Sequence, residues 1–89
     1  ASLDNIQKCL DNENAIGAIS LLDRLIEQDA TNDRAYYLRG NAYRKLGDWK
    51  NAIDNYSQAI ELNPSSPAKQ AYKMANDILN FFNKDMYNQ

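Results

Sequence analysis

Displaced against itself by 34 residues, the chain falls into register, and this self-similarity constrains its fold more than any other feature. Ala18 meets Ala52, Ile19 meets Ile53, Ile26 meets Ile60 and Glu27 meets Glu61, while Leu22 falls on Tyr56 and Ala30 on Pro64. A displacement of 35 adds a second set: Tyr37 on Tyr72, Asn41 on Asn76, Arg34 on Lys69, Gly40 on Ala75 and Tyr43 on Ile78. The matches fall on small or apolar positions, where stacked equivalent elements would touch. A period near 34 is that of a helical hairpin that cannot bury its apolar face alone and does so against its neighbours. At 89 residues the chain holds about two and a half such periods.

The elements must be helices. There is no Val and a single Thr, so seven Ile are almost all the β-branched material, whereas Ala and Leu number eleven and nine. Punctuation then divides the chain into five predicted helices. The first runs from about Leu3 to Leu10 and is broken by DNEN at 11–14. The second runs from Ala15 to Gln28, with Ile16, Ile19, Leu22, Leu25 and Ile26 at amphipathic spacing. The third, Arg34 to Leu46, has Lys45 in its last turn and Gly47 beyond it, where glycine adopts a left-handed conformation without a Cβ clash. Asp48 caps the fourth, Trp49 to Leu62, which Pro64 ends. Ser65 or Ser66 followed by Pro67 starts the fifth, which carries Ala71, Met74, Ala75, Ile78, Leu79 and Phe82 on one stripe. Connections of a few residues make neighbouring helices antiparallel.

The segment from Asp33 to Ser66 resembles a tetratricopeptide repeat, whose pattern is W-x2-L-G-x2-Y, then A-x3-F, A and P. Tyr36, Gly40 and Tyr43 stand at the first aromatic, the Gly and the next aromatic, and Ala52, Tyr56, Ala59 and Pro64 follow in register. Arg39 departs from the pattern's Leu; its aliphatic stem is expected to cover part of that position. Gly40 and Ala52 would let the two helices of a hairpin approach closely. The resemblance implies an all-α superhelical stack, a solenoid of antiparallel hairpins. Residues 1–32 would be a shortened first repeat, 33–66 the second, 67–84 a capping helix and 85–89 a tail.

The resemblance further implies a concave groove, lined by the first helix of each hairpin, that binds a partner protein or peptide segment. Its lining would be Arg34, Tyr37, Asn41, Arg44 and Lys45, with Lys69, Tyr72 and Asn76 on the fifth helix. The Tyr–Asn pairs are four residues apart, one helical turn, so each pair shares a face. Asn offers donors and an acceptor to an extended backbone, and Tyr gives a flat surface that is cheap to immobilise. Arg34, Arg44 and Lys45 make the surface locally basic, so the expected ligand segment is acidic or ends in a carboxylate. The family's carboxylate clamp needs further Lys, Asn and Arg residues; Leu3, Gln7, Tyr72 and Asn76 stand in those places, which argues against that clamp.

Several classes are excluded or disfavoured. With no His and one Cys there is no His-based catalytic set and no Cys-rich metal cage, so no enzyme activity, metal or cofactor is expected. Cys9 reads as a small inward hydrophobe. The net charge of −2 argues against nucleic acid, and no apolar run approaches the length of a membrane span. The opening ASLDNIQKCL lacks the basic-then-apolar order of a signal peptide, and a lone thiol suits the cytoplasm. The end of the chain is less polar than a closing helix should be. Phe81, Phe82, Met86 and Tyr87 crowd it, which points to self-association as a homodimer or to docking of a further repeat as an alternative function.

Overall fold

The computed structural model describes Ile6 and residues 14–82. The described residues form four helices: α1 (Ala15–Gln28), α2 (Asp33–Lys45), α3 (Trp49–Leu62) and α4 (Ala68–Phe82). Each packs on the next in chain order, giving an all-α stack of antiparallel helices. The expected helix over Leu3 to Leu10 lies outside the described residues except for Ile6, which is helical and buried.

Polar side chains fix the helix ends. Asn14 Oδ1 accepts from the Gly17 N–H at 3.1 Å, Asn32 Oδ1 from Ala35 at 3.3 Å and Asp48 Oδ1 from Asn51 at 3.2 Å. Each satisfies a first-turn donor that has no partner within its helix. Ser66 Oγ accepts from the Ala68 N–H at 3.1 Å, so α4 begins one residue after Pro67. Gly47 has φ of 78°. Its N–H reaches the Arg44 carbonyl at 2.9 Å, and the Asp48 N–H reaches the Tyr43 carbonyl at 2.9 Å. This paired closure satisfies the last carbonyls of α2 and turns the chain directly into the cap of α3.

The core has two clusters. Ile6, Ala15, Ala18, Leu22, Ala35, Leu38 and Ala42 form the first; Ala52, Tyr56, Ala59, Ala68 and Ala75 form the second. Tyr37 packs against both and joins them. The repeat is visible in the burial, since Ala18 and Ala52, like Leu22 and Tyr56, are wholly inaccessible at equivalent positions.

Two apolar residues expected at buried stripe positions are not buried. Ile16 is 71% and Met74 55% exposed. An apolar spacing marks a helix face, but burial needs a neighbour across that face. α4 packs chiefly on α3 among the described helices, and Ala68 and Ala75 are covered where Met74 is not.

The α2–α3 contact depends on the missing side chain at Gly40. A Cβ there would lie 2.6 Å from the Tyr56 ring and 3.2 Å from the Ala52 carbonyl oxygen. Gly40→Ala gains about 1 kcal/mol of helix propensity but overpacks a buried ring at a cost of about 1–3 kcal/mol. A net loss of stability is therefore expected. A urea melt of this variant with an unchanged or raised midpoint would contradict the close approach.

Candidate functional site

The residues expected to line a groove sit on α2 and α4. Arg34, Lys45 and Lys69 are exposed, while Tyr37, Asn41, Arg44, Tyr72 and Asn76 are half-buried. The two tyrosines share the origin of their half-burial: Tyr37 and Tyr72 both pack on the cluster that contains Tyr56. The Tyr37 and Tyr56 ring centroids are 6.1 Å apart at 41°, a tilted arrangement favourable for aromatic pairs.

Asn41 is held from behind. The Tyr56 hydroxyl, carried by α3, donates to Asn41 Oδ1 at 2.6 Å. The carboxamide oxygen is thereby occupied, and its two N–H donors have no partner among the described residues. Asn76, equivalent by the repeat, makes no such bond, because no described helix follows α4 to supply a second Tyr56. The two asparagines therefore share a position and differ in constraint, a difference the spacing does not reveal.

Burial of the Tyr56 ring pushes its phenol up to about 12; the nearby Arg44 guanidinium offsets this in part, and Tyr37 adds to it. The folded chain thus favours the neutral phenol more than the unfolded chain does. The associated stability is present below the ordinary value of 10.0 and is lost as the pH rises toward about 12. Denaturant midpoints are expected to fall across that window, and Tyr56→Phe should remove the part of the fall due to this group. An equal fall in the Phe variant would show that Tyr56 does not carry it.

On another side of α2, Arg39 does more than cover an apolar position with its stem. Its Nε donates to Asn55 Oδ1 at 2.7 Å, and its Nη1 donates to Asp23 Oδ1 at 2.8 Å. The guanidinium carbon lies 5.4 Å from the centre of the Tyr36 ring. Asn55 is buried and completes its bonding through Nδ2, which donates to the Asn51 carbonyl at 2.8 Å. One side chain thus ties α1, α2 and α3 together. The ion pair with the half-exposed Asp23 contributes little by itself, whereas the bond to buried Asn55 prevents an unpaired polar group. These partners are each 16 residues from Arg39, which local pattern reading does not connect.

At the far end, Phe81 is 75% exposed. The side chain of Phe82, and Met86 and Tyr87 altogether, lie outside the described residues, as does Cys9. Among the described residues no helix is long and apolar enough to cross a membrane. Nor do three or more Cys, Asp or Glu side chains group as metal ligands there.

The tetratricopeptide repeat profile matches residues 33–66. The solution structure of Bacteroides fragilis protein BF1650, determined by NMR, is similar over 99% of this chain and 90% of its own, with a TM-score of 0.89 and 53% identity. No curated protein matches the chain. With the hairpin period, the Gly40–Ala52 approach and the capped helix ends already in place, these likenesses give one conclusion: the chain belongs to the tetratricopeptide repeat family.

Proposed function

We propose that the chain is a non-catalytic protein-interaction module that holds an extended partner segment across α2 and α4. The observation that carries this reading is the joint packing of Tyr37 and Tyr72 on the Tyr56 cluster, with Asn41 fixed so that it offers donors. Two aromatic surfaces that are already partly immobilised lose little entropy on binding. An amide whose oxygen is occupied presents N–H groups to backbone carbonyls or carboxylates. Arg34, Lys45 and Lys69, exposed nearby in sequence on the same two helices, favour an acidic segment. Asn41 also serves the fold, so its removal would confuse binding with stability.

Selection from a random-sequence peptide library on the immobilised domain tests the reading. Acidic peptides should be enriched, and Arg34→Glu/Lys69→Glu should lose them while keeping the helical circular dichroism spectrum. Enrichment of basic or purely apolar peptides, or capture unaffected by the double reversal, would defeat it.

A second reading, self-association through α4, is favoured by the exposure of Met74 and Phe81 on the last described helix.

A further inference from the structure

The outward face of α4 is self-complementary. Gln70, Lys73, Met74, Asp77, Asn80 and Phe81 are all exposed. At about 100° per residue they share one side of the helix, opposite the buried Ala75. The four polar residues among them are placed symmetrically about the level of Ala75. Gln70 and Asn80 lie five residues to either side of it, and Lys73 and Asp77 lie two. Gln70, Lys73, Met74 and Asp77 also line one concavity of about 350 Å³.

Lys73 and Asp77 are one turn apart, yet among the described residues the ion pair formed is Arg39–Asp23, not theirs. Both charges are therefore available to a partner. A helix whose face reads amide, cation, anion, amide fits the same face running the opposite way, because each residue then meets its complement.

We infer that the occupant of this face is a second copy of the chain, its α4 antiparallel to the first about a two-fold axis level with Ala75. The inference rests on the second reading above and specifies its geometry. Lys73 of each copy meets Asp77 of the other, so one interface holds two equivalent ion pairs, as a two-fold contact requires. Gln70 of each copy faces Asn80 of the other. Met74, one residue from the axis level, meets its symmetry mate beside this polar row and supplies apolar area, while the row fixes direction and register. A parallel arrangement would set Lys73 beside Lys73 and Asp77 beside Asp77, and is disfavoured by like charge. The contact spans α4, 15 residues or about 22 Å, so the dimer is weak and depends on concentration.

Sedimentation equilibrium of the intact chain over a wide concentration range tests this. The wild type should shift from monomer to dimer. Lys73→Asp and Asp77→Lys should each weaken dimerisation by about tenfold or more, since each places like charges opposite one another twice. The double variant Lys73→Asp/Asp77→Lys should restore it, because the exchanged charges pair again. Both sites are on the surface, so the helical spectrum of all three variants should be unchanged. A dimer indifferent to the single reversals, or not rescued by the double one, overturns this geometry and leaves self-association standing. A wild type that stays monomeric throughout overturns both.

Discussion

Tyr56→Ala is expected to cost about 3–5 kcal/mol and to unfold a large part of the population. Tyr56 is the largest fully buried side chain among the described residues and the centre of the second cluster. Its ring fills the space left by Gly40 and supports Tyr37. Truncation opens a cavity between α2 and α3 that Ala52 and Ala59 are too small to fill. A small repeat stack has little stability to lose, so the variant should melt early or lack a cooperative transition. Tyr56→Phe isolates the hydroxyl: it keeps the packing and removes the bond to half-exposed Asn41, for about 0.5–1.5 kcal/mol. Equal losses from the two variants in a urea melt would mean that the hydrogen bond, not the ring, stabilises this junction.

Leu22→Ala should be nearly as severe, at about 2–5 kcal/mol. Leu22 holds in α1 the place Tyr56 holds one period later and is likewise wholly buried, between Ala18 and the α2 residues Ala35, Leu38 and Ala42. In a stack each interface lends stability to the next. The loss should therefore reach α2 and α3 as well as α1. Native-state hydrogen exchange checks this: amides of α3 should lose protection in Leu22→Ala. Loss confined to α1 would show that the two clusters fold independently, contrary to the bridging position of Tyr37.

Helix ends were legible in the sequence because single residues decide them. Asp48 and Gly47 set the α2–α3 turn, and α1 and α3 begin and end where their caps and breakers predict. Small residues at hairpin spacing likewise revealed the close approach of Gly40 and Ala52. What the sequence concealed depends on neighbours distant along the chain. The apolar spacing that includes Ile16 and Met74 carries no information about whether another helix covers them. Arg39 suggests a stem over apolar surface, and its bonds to Asp23 and Asn55 appear once three helices are assembled. Asn41 looked free to serve a ligand through both ends of its amide; the Tyr56 hydroxyl takes one of them. The helices that carry the candidate groove residues followed from the period, and the half-burial of Tyr37 and Tyr72 against the core did not.

The most direct test of the central claim, that a partner segment lies across α2 and α4, is a nitrogen–proton correlation NMR titration of the labelled domain with a peptide from the library selection. Saturable shifts are expected at Arg34, Tyr37, Asn41, Arg44, Tyr72 and Asn76, including the Asn41 side-chain amide. Shifts confined to the outward face of α1 or α3, with Tyr37, Asn41 and Tyr72 unmoved, would contradict it.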